Sequence, residues 1–141
     1  MTADARYEYF EVEADVGVLA RGVDRAEAFA QAALGVLALG VAPDGVEEHE
    51  TRDVRAQAAS AEELLVAWIN ECLYVHEIEG FAVHRVSVHR LDEAVVHGVL
   101  HGEPLDAARH QLGTVVKGVT HHHVTVAETS EGSEVSVIVD V

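Results

Sequence analysis

Two hydrophobic periods alternate along this chain, and their order predicts its secondary structure. Apolar residues at every second position indicate β-strands, whereas apolar residues three or four positions apart indicate helices. The predicted order is two strands, a helix, a weak polar strand, a second helix and four further strands. The strands are predicted at residues 7–12, 16–23, 47–58, 81–91, 94–101, 115–127 and 134–141, with helices beginning after Asp24 and Ser60.

Both predicted helices have recognisable boundaries. Asp24 with Glu27, and Ser60 with Glu63, have the spacing of a capping box, in which the two side chains satisfy free backbone N–H groups of the first turn. Gly40 is expected to end the first helix. The apolar stripes are predicted to be Phe29, Ala32, Ala33, Val36 and Leu37 on the first helix, and Leu65, Trp68, Ile69 and Cys72 on the second.

Turn residues divide the C-terminal half of the chain into antiparallel hairpins. Asp92–Glu93 is a hairpin signal, whereas Gly102–Glu103–Pro104 is expected to break the strand pattern. Residues 105–113 are predicted to form a polar connection or a short helical turn. Together these elements predict an α+β fold, with two helices packed on a largely antiparallel β-sheet in a single compact domain spanning residues 1–141.

The composition narrows the class of protein. Hydrophobic residues make up 49% of the 141 positions, which favours a packed core over disorder. No apolar run approaches the ~18 residues of a membrane-spanning helix, and the N-terminal residues lack the apolar segment of a secretion signal. The single cysteine, Cys72, excludes an internal disulfide and is expected to be buried and unreactive. These features predict a cytoplasmic protein.

The charge balance is strongly acidic, with 25 acidic residues against 9 basic ones and a net charge of −16. Because nucleic-acid affinity comes largely from Lys and Arg that neutralise phosphates, direct tight binding to RNA or DNA is not expected. A basic protein partner fits this surface better. A lysine-poor, acid-rich composition is also typical of proteins from high-salt cytoplasms, although a GC-rich genome produces part of the same bias.

A few charged residues stand out as candidates for chemistry. Lys117 is the only lysine, and lysine differs from arginine in being a compact charge whose pKa shifts with its surroundings. Asp140 follows an apolar strand and precedes the α-carboxylate of Val141, and two such carboxylates form an oxygen-rich site suited to a hard cation. Asp15 is a second isolated acid, for which a turn residue is the alternative interpretation. The residues alone do not show that Asp15 and Asp140 meet.

The histidines are a weaker signal. On a regular strand His121 and His123 share one face and His122 points to the other. A zinc site needs three or four converging ligands, and the chain has no HExxH or CxxC motif, so a metal-binding triad is disfavoured. Motifs for phosphate loops, dinucleotide binding and serine nucleophiles are also absent from the sequence. The histidines at positions 84, 89, 97 and 101 are expected on strand surfaces.

Short motifs spread along nearly the whole chain resemble the archease family. Phe10 to Gly17 is similar to the family phrase F-x-H-T-A-D-x-G, and Leu64 to Leu73 matches L-L-x-x-W-L-N-E-x-L closely. Further along, Gly102–Glu103 and His110 precede a stretch similar to V-K-A-x-T-Y-H, and the chain ends in a match to V-I-V-D-[VI]. The chain departs from these motifs at Val12, Glu13, Gly118 and His121, where the family has His, Thr, Ala and Tyr.

The resemblance implies a role in RNA processing without RNA sequence readout. Archeases are accessory proteins, not themselves catalytic, for RtcB-type RNA ligases, which use GTP and metal to seal RNA ends carrying a 2′,3′-cyclic phosphate or 3′-phosphate. They promote ligase guanylylation and multiple turnover, notably in tRNA splicing. By this resemblance Asp15, Asp140 and Val141 hold a divalent metal ion, Ca²⁺ in preference to Mg²⁺ or Mn²⁺. Lys117 matches the family's functional lysine. It is expected to pair with Asp15 or Asp140 when metal is absent, or to approach phosphate or the ligase active site when metal is present.

Two other classes of protein remain open from the residues alone. One is a self-sufficient metal-dependent hydrolase, with Asp15 and Asp140 as metal ligands and a histidine of 121–123 as general base. The other is a protein-binding module that needs no metal.

Overall fold

The computed structural model describes residues 6–12 and 15–141. Within these ranges the chain forms seven strands, two α-helices and one short 3-10 turn at Pro43–Gly45. The helices are α1 (Arg25–Gly40) and α2 (Ala61–Ile78). The strands are β1 (Arg6–Val12), β2 (Asp15–Gly22), β3 (Glu50–Gln57), β4 (Phe81–Leu91), β5 (Val95–Pro104), β6 (Gly118–Thr129) and β7 (Gly132–Asp140).

The strands form two antiparallel sheets, and the predicted α+β class is confirmed. One sheet has the order β1-β2-β7-β6 and the other the order β3-β5-β4. Helix α1 packs on β2 and β4, and α2 packs on β6 and β3, so each helix contacts both sheets. One continuous apolar core therefore joins the two sheets through the helices.

The helix starts follow the predicted caps. The Glu27 N–H donates to Asp24 Oδ1 at 2.9 Å, and the Glu63 N–H donates to Ser60 Oγ at 3.2 Å. Glu27 reaches back one residue further than expected and accepts from the Val23 N–H at 2.8 Å. Each cap satisfies backbone groups that a helix leaves free at its first turn.

Trp68 is the centre of the core. Its side chain is fully buried, and its indole Nε1 donates to the Phe29 carbonyl at 3.0 Å, which joins α2 to α1. Cys72 is also fully buried, and burial raises the pKa of its thiol, so the thiol is neutral and inaccessible as predicted. Neither α1 nor α2 combines the length and apolar character that a membrane crossing requires.

The expectation that the strand pattern ends at Gly102–Glu103–Pro104 is wrong, because β5 continues through all three residues. A Cβ atom at Gly102 would lie 1.8 Å from the Ala82 carbonyl oxygen of β4. The glycine therefore permits two backbones to approach closely inside the sheet. Such a close approach is one of the recognised reasons for glycine inside a strand. Pro104 is the last residue of β5, a position where a missing N–H is tolerated.

Replacing Gly102 with alanine should lower the free energy of unfolding by about 2–3 kcal/mol, because the clash is with backbone and the sheet must shift to relieve it. Gly45→Ala is the matched control, since a Cβ there meets nothing within 4 Å. Urea unfolding of both variants measures the difference. Equal midpoints for the two variants would contradict this explanation of Gly102.

The alternation predicted for the histidine run is also wrong. Strand β6 begins at Gly118 rather than at residue 115, and its pairing with β7 shifts between Thr120 and Thr125. Four residues of β6 thus lie opposite a single residue of β7, in a large bulge. His123 has a φ of 54°, and all three histidines are exposed. A two-residue repeat therefore does not describe which way these side chains point.

Candidate functional site

Asp15, Lys117 and Asp140 lie at one end of the four-stranded sheet, on three segments that are far apart in sequence. Asp15 begins β2, Asp140 ends β7, and Lys117 immediately precedes β6. Pairing of Val16 with Val139 makes Asp15 and Asp140 the next facing positions of β2 and β7. The Lys117 N–H donates to the Asp140 carbonyl at 2.8 Å. We call Asp15, Lys117, Asp140 and Val141 the sheet corner.

The two acids of the sheet corner share one face of the sheet. Facing residues of an antiparallel pair project to the same side, and in the neighbouring Val16–Val139 pair Val139 is buried in the core. Asp15 and Asp140 are therefore placed on the face away from the helices, with Asp140 exposed. Val141 is half-buried and its side chain packs against the core, which holds the last residue in place.

Lys117 is exposed and lies on the other side of this corner. It lines a shallow depression with Tyr74 and Ile78 of α2. None of the ion pairs among the described residues involves Lys117, Asp15 or Asp140. The predicted pairing of the Lys117 side chain with an acid is thus not present in the structure, which joins only the backbones of Lys117 and Asp140.

Phe10 and Gly17 explain the spacing of the opening motif. The two residues pair across β1 and β2, and the Phe10 ring occupies the space of a Cβ at Gly17, 2.2 Å from where that atom would be. The aromatic ring thus covers the glycine two residues after Asp15 and fixes the start of β2. Val12 pairs with Asp15, whereas Glu13 and Ala14 lie outside the described residues.

Asn70 holds the start of β6 beside the sheet corner. Its Oδ1 accepts from the Val119 N–H at 2.9 Å, and its Nδ2 donates to the Val119 carbonyl at 3.3 Å. The side-chain amide therefore satisfies both backbone groups of Val119, as a neighbouring strand would, two residues after Lys117. A Cβ at Gly118 would lie 3.5 Å from Asn70 Oδ1, an ordinary contact. The family's alanine would fit there, so the departure at Gly118 leaves this clamp intact.

A buried charged network anchors the connection between β5 and β6, which ends at Lys117. Glu103 is 5% exposed and accepts from the Glu47 N–H at 2.8 Å, from His110 Nε2 at 3.0 Å and from the Arg109 guanidinium. His110 Nδ1 accepts from the Asp106 N–H at 3.0 Å, which places the ring hydrogen on Nε2, towards Glu103. In the sequence Glu103 and His110 stand out only as motif positions, because their contact depends on the path of the connection.

Further backbone bonds fasten the same connection to α1. The Gly113 N–H donates to the Gly40 carbonyl at 2.9 Å and the Thr114 N–H to the Leu39 carbonyl at 2.8 Å. A Cβ at Gly113 would lie 2.4 Å from the Leu39 oxygen, so only glycine fits this close passage. Residues 105–117 are therefore a fixed strap across the end of α1, and Lys117 is its last residue.

The Glu103 network should make stability depend on pH. The Arg109 guanidinium, then the Glu47 N–H and His110, hold the pKa of Glu103 well below its ordinary value of 4.5. A carboxylate whose folded-state pKa is lowered stabilises the fold above its unfolded pKa and loses that effect as pH falls. Glu103→Gln should therefore lower Tm at pH 7, with a gap from wild type that narrows below pH 4.5.

Thermal unfolding between pH 7 and pH 3 measures that gap, and Glu93→Gln in the exposed β4–β5 turn controls for the charge change alone. A gap that is constant across this range would show that Glu103 does not act through its charge.

One group of three potential metal ligands converges among the described residues, and it is not at the sheet corner. Glu47, His49 and Glu103 bring ligand atoms within 4.8 Å of one another. The Glu103 carboxylate is already neutralised by Arg109, and His49 bonds Glu47 at 2.6 Å. We therefore interpret this group as part of the network that anchors the strap. The exposed histidines 121–123 form no such group in the described ranges.

The donors at the sheet corner fit a hard divalent cation better than a transition metal. They are carboxylate oxygens at adjacent strand ends, and hard cations such as Ca²⁺ and Mg²⁺ prefer oxygen ligands. Neither Asp15 nor Asp140 takes part in an ion pair with another described residue, so no basic side chain of the described ranges already occupies these oxygens. The donor chemistry is thus compatible with the metal that the family resemblance implies.

Comparisons with known proteins agree with these motifs. Residues 7–141 match the model of the "Archease protein family (MTH1598/TM1083)". The chain is 32% identical over 139 residues to "Protein archease" of Pyrobaculum islandicum, covering 96% of this chain and 95% of the relative. It is also 32% identical over 136 residues to "Protein archease" of Saccharolobus islandicus, covering 96% and 98%.

A solved structure shows the same fold. The solution structure of Methanobacterium thermoautotrophicum protein 1598 superimposes with a TM-score of 0.78 at 28% identity, over 96% of this chain and 98% of that one. The family match at residues 7–141 covers both helices and, apart from Arg6 at the start of β1, all the described strands. The chain therefore belongs to the archease family.

Proposed function

We propose that this protein is an accessory factor of an RtcB-type, GTP-dependent RNA ligase, promoting guanylylation of the ligase and its multiple turnover in tRNA splicing and RNA repair. Membership in the archease family supports an accessory role. The observation that carries the proposal is the sheet corner, where Asp15, Lys117 and Asp140 come from three separate segments to one end of the four-stranded sheet. Charged groups gathered at a rigid sheet end, with no ion pair to another described residue, are suited to act on a partner.

The distribution of positive charge supports a protein partner rather than RNA. Six of the eight arginines form ion pairs with acids among the described residues, namely Arg21, Arg25, Arg52, Arg85, Arg90 and Arg109. These guanidinium groups are therefore neutralised within the protein. Because phosphate binding needs free cationic groups, the −16 chain reaches RNA through a basic ligase that holds the substrate.

Asp15, Asp140 and Val141 would hold a divalent cation in this proposal, Ca²⁺ in preference to Mg²⁺ or Mn²⁺. When bound, the cation supplies positive charge that orients oxygen ligands of the partner's reactants. The residues of the chain position the acids: Phe10 over Gly17 fixes the start of β2, and the packed Val141 fixes the end of β7. Asn70 and the strap fix Lys117, whose compact charge then faces the ligase or the phosphates it holds.

Formation of the ligase–GMP adduct tests this proposal. Purified cognate ligase and labelled GTP should form the adduct faster and to a greater extent when this protein is present. An adduct yield that does not change with added protein would contradict the proposal.

The purified protein also distinguishes the two alternative functions, a metal-dependent hydrolase and a metal-independent protein-binding module. Hydrolysis of phosphate esters or RNA by the protein without ligase would favour the metal-dependent hydrolase. Metal-independent binding of another protein, with no ligase bound, would favour the plain binding module.

A further inference from the structure

Exposed apolar side chains of this acidic protein concentrate on one face. Eight large hydrophobic residues are exposed among the described residues, and five of them lie around the end of α2 and the strap. These five are Tyr74, Ile78, Leu105, Leu112 and Val115, with exposures from 37% to 72%. Contiguous apolar surface on a monomer marks an interaction site more often than scattered apolar residues do.

The strap, α1 and α2 enclose an apolar groove within this face. Its walls include Leu37, Leu73, Leu105, Leu112 and Val115, and its volume is about 170 Å³. This is smaller than the roughly 300–1,000 Å³ of small-molecule sites, whereas an apolar cavity of about 150 Å³ accepts a benzene ring. The groove therefore has the size for one apolar side chain of a protein partner.

The charges around the groove indicate the neighbours of that side chain. Glu77 lines both the apolar groove and the shallow depression that contains Lys117. Glu77 forms no ion pair with another described residue. An apolar anchor beside an Arg or Lys would fill the groove and pair with Glu77, and anchors in pockets of this kind dominate interface energies.

We infer that the apolar groove is the docking site for a basic protein surface that presents an apolar side chain next to Arg or Lys. This inference rests on the proposed function, under which that surface belongs to the RNA ligase. The shallow depression shares Leu73 and Glu77 with the groove and contains Lys117. A partner held in the groove therefore lies directly beside the sheet corner, which explains how a protein of −16 charge directs its one lysine at the ligase.

Matched aspartate substitutions test the groove. Val115→Asp and Leu112→Asp place a charge at groove positions that are 72% and 53% exposed, and Val23→Asp makes the same change at a 48% exposed valine at the opposite end of β2. We expect each groove variant to weaken ligase affinity at least about tenfold, with the Val23 variant within about twofold of wild type. Isothermal titration gives the affinities, and circular dichroism checks that each variant is folded.

A salt series adds a second readout. Because the screening length falls to about 3 Å at 1 M salt, contacts between exposed charges weaken there while apolar contact persists. Wild-type binding should survive at 1 M salt and the groove variants should bind worst there. Equal affinities of the Val115 and Val23 variants for the ligase would overturn the docking role of the groove and leave the proposed function standing. The same conclusion would follow if the protein self-associated and Val115→Asp abolished that self-association. Absence of wild-type binding at every salt concentration would overturn the proposed function and the groove with it.

Discussion

Replacing Asp140 with asparagine should weaken divalent-cation binding at least about tenfold and remove stimulation of the ligase. Asparagine keeps the size and one oxygen of the side chain but removes the charge that a hard cation requires. The fold should be unaffected, because Asp140 is exposed and its structural bond is the backbone carbonyl that accepts from the Lys117 N–H. Calorimetric titration with Ca²⁺, then Mg²⁺, measures the affinity.

The matched control is Asp53→Asn, an exposed acid on β3 that makes the same charge change in the other sheet. Its cation affinity should equal that of the wild type. Equal affinity in the Asp140 variant, or no binding by the wild type at millimolar cation, would eliminate the metal site at the sheet corner.

Lys117→Ala should reduce stimulation of ligase guanylylation at least about tenfold, the scale expected when one partner of a close charge pair is truncated. Cation binding should stay near wild type, because Lys117 makes no ion pair with Asp15 or Asp140 and lies towards α2. Loss of stimulation with retained cation binding separates the lysine from the metal ligands. The adduct assay and the titration together supply both measurements.

Lys117→Arg tests why the chain has a lysine here. Arginine keeps the positive charge but replaces a compact ammonium with a planar fork, so stimulation should fall between wild type and Lys117→Ala. Arg55→Ala removes an exposed positive charge from β3 and should leave stimulation unchanged. Full stimulation by Lys117→Ala would reduce this residue to an ordinary surface lysine.

Local rules were sufficient to predict both helices. The capping boxes at Asp24 and Ser60 involve residues three positions apart, so the sequence contains all the information they need. The strands were also predicted, within a few residues at their ends. The strand errors have non-local causes: Gly102 is explained by a carbonyl of β4, and the bulge at His121–His123 by the pairing of β6 with β7.

The sheet corner depended on information that the sequence does not contain in any one segment. Asp15 and Asp140 meet because β2 pairs with β7 over a separation of more than a hundred residues, as Val16 and Val139 show. Periodicity predicts each strand but not its neighbour, so family resemblance alone suggested these residues together. The roles of Asn70 and Glu103 stayed hidden for the same reason, since each acts on backbone from a different element.

The accessory role is tested most directly by multiple-turnover ligation by a cognate RtcB-type ligase with and without this protein. Substrate RNA with a 2′,3′-cyclic phosphate end is supplied in excess over ligase, with GTP and divalent metal present, across low and molar salt. We expect the ligase alone to stop after about one turnover, whereas added protein should sustain ligation until the RNA is consumed, because an accessory factor lowers the same barrier in every cycle. Equal turnover with and without the protein under every salt condition would contradict the accessory role.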